Sequence, residues 1–339
     1  MEQNKKPRAT ILMPVYNGET YLNETIDSVL KQTFVDFYFL IINDGSTDNT
    51  EKIIKSYDDK RIIYHKNEQN LGLVATLNKG LAMIETEFTA RVDADDLWES
   101  TKLTKQISLL DARPDVGICG TSIVKFGTRE STMIFPIESE YLKVGFLFYC
   151  MMSHPSVVFR MSFLNEAGLR YKSDFYPAED YKMWVDALDL THIYNIPEPL
   201  VRYRQHEEQI TQVGNTKQQL KTAEVRLEVL RKIYPNVLSK ELKFHELFIS
   251  LHFKNLVEYN QSKRWIEKLC AENEKTHYVN SVVLKKELYR YLRVGYKSYI
   301  LSQYFQQKNL KSAWKYLLSG AWIRLSPKQN IGLLISCFK

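Results

Sequence analysis

Between Thr10 and about Gly120, five short apolar runs alternate with stretches of helical period. No other feature of the chain narrows its folding choices as far. The runs are 11–15, 37–42, 62–64, 88–92 and 116–119, each flanked by turn-forming residues. Runs this short and this apolar are predicted to be parallel strands buried on both faces. Between them, Leu22, Ile26, Val29 and Leu30 line one face of a helix, and Leu73, Leu77, Leu81 and Ile84 line another. A helix between these two is predicted to open at Ser46-Thr47-Asp48, where Asp48 and Glu51 have capping-box spacing. Strand–helix–strand alternation predicts a doubly wound α/β sheet with its ligand site beyond the carboxyl ends of the strands.

The rest of the chain bounds the function. Its 339 residues are enough for two domains, and 44% hydrophobic with 25% charged residues is ordinary globular composition. Cys119, Cys150, Cys270 and Cys337 lie far apart with no C-x-x-C pair, so neither a disulfide framework nor a zinc ribbon is indicated. The first ten residues lack an apolar signal segment, and the apolar runs at 146–152 and 331–338 fall far short of the ~20 residues that span a bilayer. The location read from these features is the cytoplasm. Charge is uneven: residues 1–212 hold 23 Lys+Arg against 31 Asp+Glu, whereas 213–339 hold 23 against 9. The basic segment reads as a surface for membranes, phospholipid-linked molecules or polyanions, or else as a solvated helical face. Helical patterns at 225–230, 247–253 and 284–292 set 213–339 apart as a mostly helical region behind a first domain of 1–212. Stretch 121–205 mixes strand-like pieces at 156–160 and 192–196 with a helical 179–190 and is read as completing that domain.

The predicted strands end in Pro14-Val15-Tyr16-Asn17, Asn43-Asp44-Gly45-Ser46, Asn67 to Gly72, and Asp93-Ala94-Asp95-Asp96. Neither the dinucleotide-binding G-x-G-x-x-G nor a P-loop occurs, so phosphates must be held another way. Asp93 and Asp95 offer the hard oxygen ligands that Mg²⁺ or Mn²⁺ prefers. Such an ion can bridge a nucleotide diphosphate and act on it as a Lewis acid. Taken alone, Asp-x-Asp-Asp also reads as a capped turn, and Asp44-Gly45-Ser46 as a plain turn.

In this order, Met13-Pro14-Val15-Tyr16-Asn17, Asn43 to Asp48, Asn67-Glu68-Gln69-Asn70-Leu71-Gly72 and Asp93-Ala94-Asp95-Asp96 strongly resemble the N-terminal half of glycosyltransferase family 2. These are inverting enzymes of GT-A fold. The resemblance covers about residues 8–120 and continues more loosely to about 210. It implies a GT-A-type, Rossmann-like mixed sheet flanked by helices, followed by a mainly helical C-terminal region. It further implies metal-dependent transfer, with inversion, of a sugar from a UDP-type donor to a glycan or lipid-linked glycan hydroxyl. Carried over by position, Pro14, Tyr16 and Asn17 line the nucleotide pocket and Asp44 meets the base. Asp93 and Ala94 lie by the ribose and sugar phosphate, and Asp95 is the ligand of Mn²⁺ or Mg²⁺. Arg91 faces the nucleotide or has a packing or salt-bridge role.

Pro177-Ala178-Glu179-Asp180-Tyr181 is similar to the family's Glu-Asp element, which makes Asp180 the base, with Glu179 supporting it or touching acceptor. Chemistry asks for such a group independently, because an acceptor hydroxyl needs a carboxylate to take its proton as it attacks. The other reading is two acids capping the following helix. His154-Pro155-Ser156 resembles a segment near acceptor and diphosphate, and His154 also suits a structural role. Arg202-Tyr203-Arg204-Gln205-His206 is similar to a basic element that closes over the diphosphate, a task suited to the arginine fork of Arg202 and Arg204. His206-Glu207-Glu208 is no zinc motif, since Ile210 stands where H-E-x-x-H needs its second histidine.

Trp314, Tyr316, Leu317, Trp322 and Ile323, interleaved with Lys311, Lys315 and Arg324, have the pattern of an amphipathic helix on the inner face of the cell membrane, or of core or dimer contacts. No nucleic-acid module accompanies the charge. Two other classes fit the sheet. One is a non-catalytic glycan-binding scaffold, which the joint presence of Asp93, Asp95 and Asp180 argues against. The other is a sugar nucleotidyltransferase, which calls for a Gly-rich basic loop that Pro14 to Gly18 does not provide.

Overall fold

The computed structural model describes residues 6–128, 130–206 and 215–307. Ala9–Val15 (β1) is buried at every position, as an interior strand covered on both faces must be. It pairs in parallel with Phe37–Asn43 (β2) and Phe88–Arg91 (β4), and β2 pairs in parallel with Ile62–Lys66 (β3). β3 departs from the predicted two-sided burial. It is the edge strand, only partly buried along its length, and its exposed Lys66 gives the open edge a charge that discourages further pairing.

Beyond β4 the sheet turns mixed. Val158–Arg160 (β8) is antiparallel to β4 and to Val116–Gly127 (β6), which runs parallel to His192–Gln205 (β9). Leu97–Trp98 (β5) closes the far edge on β9, and Ser131–Met133 (β7) pairs with β6, giving the order β3-β2-β1-β4-β8-β6-β9-β5. β9 extends well past the apolar run at 192–196 that announces it. Pro197 and Pro199, which donate no N–H, fall where the register with β6 shifts around Ser122.

Leu22–Leu30 (α1) buries Leu22, Thr25, Ile26 and Val29, the predicted stripe except for half-buried Leu30. Leu73–Met83 (α3) buries Leu77 and Leu81, and Ile84 follows it in extended conformation. Thr50–Lys55 (α2) starts later than predicted and without the capping box. Asp48 accepts from Thr50 N at 3.0 Å and from Glu19 N at 3.0 Å, while Glu51 pairs with Lys55 and Lys66. Lys102–Ala112 (α4), Ser139–Gly145 (α5), Met161–Glu166 (α6) and Glu179–Ala187 (α7) complete the flanking layers.

The chain forms two compact units, Met1–Leu227 and Glu228–Lys339, with Asn215–Ile233 (α8) running across the division. The boundary read from charge, after residue 212, lies outside the described residues. In the second unit, Ser239–Ser250 (α9), Leu256–Thr276 (α10) and Ser281–Gln307 (α11) include the predicted pattern at 284–292, whereas that at 247–253 outruns α9, which ends at Ser250 with Leu251 left-handed and Phe253 beyond it. They bury Phe248, Trp265, Leu269, Leu284 and Leu288, and Glu241 pairs with Lys268 and accepts from Tyr234 Oη at 3.0 Å. The aromatic, basic stretch at 311–325 lies outside the described residues. Among the described residues, no helix is long and apolar enough to cross a membrane.

Candidate active site

The carboxyl ends of β1, β2 and β4 meet, and the hydrogen bonds there show how. Asn17 adopts φ of +50°, donates N–H to Ser46 Oγ at 2.9 Å and accepts from Thr47 N at 2.9 Å through Oδ1. Gly18 N donates to Thr50 Oγ1 at 2.8 Å. Pro14 is a buried strand residue, whereas Tyr16 is 49% exposed at the rim. Asp44 is buried and fastens the loop after β3: Oδ1 accepts from Asn67 Nδ2 at 2.7 Å and Leu71 N at 2.9 Å, and Oδ2 from Gly72 N at 2.9 Å. Gly45 follows with φ of +75°, and a Cβ there would stand 2.7 Å from the Gln69 carbonyl carbon. Only glycine lets the two loops approach so closely.

β4 ends at Arg91, and the three acids that follow form one corner. Asp93, Asp95 and Asp96 each bring a carboxylate oxygen within 4.8 Å of the others. Arg91 is buried and ion-paired with Asp93, and its Nε and Nη1 have no hydrogen-bond partner. Asp96 is fully buried. Its Oδ1 accepts from Arg204 N at 2.8 Å and its Oδ2 has no partner. Burial, and then the charges of Asp95 and Asp93, push the Asp96 carboxyl well above the ordinary carboxylate range.

The end of β9 braces this corner. Arg204 Nε donates to the Asp95 carbonyl at 2.8 Å and Nη2 to Glu24 at 2.9 Å, with its guanidinium 4.2 Å from the Tyr21 ring centroid. His206 Nε2 stands 3.0 Å from Asp95 Oδ2, and its ring packs 5.2 Å from that of Tyr21. Thr25 Oγ1 donates to the Ala94 carbonyl at 2.9 Å. Arg202, in contrast, is exposed and rests 4.6 Å over the Phe126 ring.

Facing this corner is the start of α7. Asp180 is half-buried and Oδ1 accepts from Tyr181 N at 2.6 Å; Glu179 is buried with Oε2 unpartnered. Neither acid caps the helix, because Ala178 holds that position. Burial, and then the charge of Asp180, push the Glu179 carboxyl up to about 7. Burial likewise lifts Asp180 to about 6, against the pull of the Tyr181 N–H and of Arg91. His154 is buried in the single turn His154–Ser156, with Nε2 2.7 Å from Tyr171 Oη, and burial with the nearby Arg91 charge holds it well below the usual imidazole range. The field of the Arg91 guanidinium reaches Asp93 and Asp96 on one side and Glu179, Asp180, His154 and Tyr171 on the other.

Of the residues singled out in the sequence, Arg91, Asp93, Ala94, Asp95, His154, Glu179, Asp180 and Arg204 thus surround one center. Pro14, Tyr16, Asn17 and Asp44 form the adjoining loop cluster, and Arg202 points elsewhere. Sequence reasoning did not single out Asp96, Tyr171 or His206 as site residues. The Arg-x-His at 204–206 was the available signal for the last of these. The donor set fits a divalent cation: hard oxygens in excess of the one buried guanidinium, a partnerless Asp96 oxygen, and an imidazole nitrogen against Asp95. Opposite stands the Asp180 carboxylate, pushed up to about 6 by burial and held by backbone N–H groups alone, which suits a general base.

Residues 10–164 match the family described as Glycosyl transferase family 2. An uncharacterized glycosyltransferase of Haemophilus influenzae is 30% identical over 252 residues, which cover 70% of this chain and 77% of that one. The Escherichia coli protein named UDP-Glc:alpha-D-GlcNAc-diphosphoundecaprenol beta-1,3-glucosyltransferase WfgD is 31% identical over 180 residues, 53% of this chain and 69% of its own. Among solved structures, residues 1–349 of S. aureus TarS with UDP-GlcNAc superpose with a TM-score of 0.58 at 19% identity, covering 89% of this chain and 92% of that one, so the GT-A fold is shared. Similarity that spans most of the Haemophilus relative, joined to the acids gathered at the ends of β4 and α7, establishes that this chain is a glycosyltransferase belonging to family 2.

Proposed function

We propose that the enzyme transfers a sugar, with inversion, from a UDP-linked donor to a hydroxyl of a glycan or lipid-linked glycan, as a step in polysaccharide assembly. One observation carries this reading: Asp180, lifted to about 6 and held by backbone N–H groups with no paired cation among the described residues, shares the field of the buried Arg91 with the acids after β4. Asp95, with His206 beside it, would hold Mn²⁺ or Mg²⁺, and the ion would supply Lewis-acid charge to the departing diphosphate. Arg91 adds fixed positive charge beneath the same region. Tyr16, Asn17 and the loop that Asp44 fastens would line the base and ribose.

As the acceptor oxygen bonds to the anomeric carbon, the bond to the diphosphate breaks with its electron pair. The hydroxyl proton passes to Asp180 Oδ2, since Oδ1 is engaged with Tyr181 N–H. Attack opposite the leaving group inverts the anomeric center. Glu179 and Asp180 are both raised by burial, and the charge of Asp180 raises Glu179 further, so the two acids release their protons as a pair. The named WfgD acceptor is lipid-linked, which supports a lipid-linked acceptor here and a role at the membrane surface for the basic region 213–339.

Calorimetry with UDP and Mn²⁺ tests the reading. The native chain should bind UDP in a metal-dependent manner, and Asp95→Ala should lose that dependence. Absence of heat from the native chain would favor the scaffold alternative.

A further inference from the structure

Two neighbors on α3, Asn78 and Lys79, reach in different directions. Lys79 Nζ donates to Asn67 Oδ1 at 2.7 Å, and Asn67 Nδ2 donates to Asp44 Oδ1 at 2.7 Å and to Thr76 Oγ1 at 3.2 Å, so Lys79 steadies the loop proposed to line base and ribose. Asn78 serves the other side. Its Nδ2 donates to the Tyr171 carbonyl at 2.8 Å, and its Oδ1 accepts from Tyr171 N at 3.0 Å. A carboxamide carries a donor and an acceptor side by side, so it fixes both backbone groups of one residue at once. The helix is itself set close on the sheet, because Gly80 follows and a Cβ there would stand 2.4 Å from Leu12 Cδ1.

From Tyr171 the contacts run on to α7. The Tyr171 hydroxyl stands 2.7 Å from His154 Nε2, and the His154 ring packs 5.2 Å from the Tyr171 ring and 5.9 Å from that of Trp184. Trp184 lies one turn after Asp180 on α7, fully buried and stacked 5.7 Å from Phe159 of β8. Lys172, next to Tyr171, pairs with Asp186 of α7 at 2.8 Å. Each step from Asn78 to the helix that carries Asp180 is therefore a direct contact.

We propose that Asn78 is a positioning residue for Asp180, acting through Tyr171 and His154, so that α3 holds the donor loop and the base to one frame. The proposal rests on the reading of Asp180 as the base. Loss of the Asn78 amide takes these partners from the N–H and the carbonyl of a buried residue and lets His154 and Trp184 shift. The cost then falls on turnover rather than on capture of the donor.

The test follows UDP release by full-length protein from UDP-glucose, UDP-galactose and UDP-N-acetylglucosamine with Mn²⁺, water standing in for the acceptor hydroxyl. Asn78→Ala should lower kcat by about 10- to 100-fold and leave the donor KM within about twofold, the signature of a misplaced catalytic group. Lys79→Ala should do the reverse, raising the donor KM about tenfold with kcat within about twofold. Tyr171→Phe, which removes one oxygen, should lower kcat alone. The double variant Asn78→Ala/Tyr171→Phe should stay within about twofold of Asn78→Ala, because both substitutions act along one path. In protein labeled with ¹⁵N-histidine, Asn78→Ala should move the His154 signal as Tyr171→Phe does, with His154→Gln assigning it. Native kcat in Asn78→Ala, effects that multiply in the double variant, or an unmoved His154 signal overturns the proposal. If Asn78→Ala binds no UDP, native kcat in Tyr171→Phe overturns it instead. If the native chain releases UDP from none of the three donors, the His154 signal decides. Failure of the base reading is seen separately, as native kcat in Asp180→Asn, and leaves the His154 comparison standing.

Discussion

The acids after β4 and the acids that open α7 belong to one center but live under opposite conditions. Asp93 has the nearby Arg91, Asp95 has His206, and Asp96 has the Arg204 N–H, so all three carboxylates have partners and two of them are tied to the end of β9, far away in sequence. Glu179 and Asp180 accept only from backbone N–H groups, their own and that of Tyr181, and among the described residues neither pairs with a cation. Partners fix where a carboxylate sits; their absence fixes when it gives up its proton. On the proposed reading, one corner holds charge in place and the other changes charge during a turnover.

Each half of that contrast can be broken separately. Asp180→Asn should lower kcat by about 10²–10⁴-fold, the contribution of a general base, while leaving UDP–Mn²⁺ affinity within about twofold. Native turnover in that variant would remove Asp180 from the chemistry. Arg204→Ala removes the guanidinium bonds to the Asp95 carbonyl and to Glu24 while keeping the backbone N–H on Asp96, and should reduce kcat/KM for the donor by about 10- to 100-fold, with lower thermal stability, as expected for lost hydrogen bonds from a charged group. An unchanged donor kcat/KM would mean that β9 does not brace the corner.

A smaller effect appears in pH dependence. If Asp180 is the base it works ionized, and kcat/KM should fall about tenfold per pH unit below its value of about 6. Glu179→Gln should keep this limb. Its disappearance would transfer the role to Glu179.

The smallest effect is on stability, and its sign follows from linkage. Ordinary values for Asp and Glu are 3.8 and 4.5, and the folded values are about 6 and about 7, so the folded chain retains protons that the unfolded chain releases. The stabilization is present below pH ~4 and is lost as pH rises through about 7. Asp180→Asn should accordingly raise Tm by a few degrees at pH 8, for a gain on the order of 1 kcal/mol, and do little at pH 4. A lower Tm at pH 8 would contradict the uncompensated burial of this carboxylate.

Much of the first half was legible because its signals are local. The stripe at Leu22, Ile26 and Val29 needs only helical spacing, and β1, β2 and β4 need only runs of buried residues. The acids at 93, 95 and 180 were legible through their order along the chain. Competition among local partners hid other features. Glu51 has capping-box spacing from Asp48 but finds Lys55 and Lys66 instead, and Pro197 and Pro199 interrupt the alternation that would have revealed the length of β9. Tertiary partners hid the rest. Nothing near His206 in sequence says that it will meet Asp95, and nothing near His154 says that Tyr171 will hold its ring.

The contacts of Arg204 and His206 with the acids after β4 span 108 to 111 residues of chain. During synthesis the first four parallel-sheet strands and their helices can assemble while the clamp on Asp95 is still unmade. A nascent polypeptide stopped short of β9 would carry every recognizable donor-side motif yet lack the brace that holds them ready. The clamp on Asp95 thus comes from one of the last segments of the sheet to leave the ribosome, and a chain ending between β4 and β9 would lack it together with the partner strand of β6.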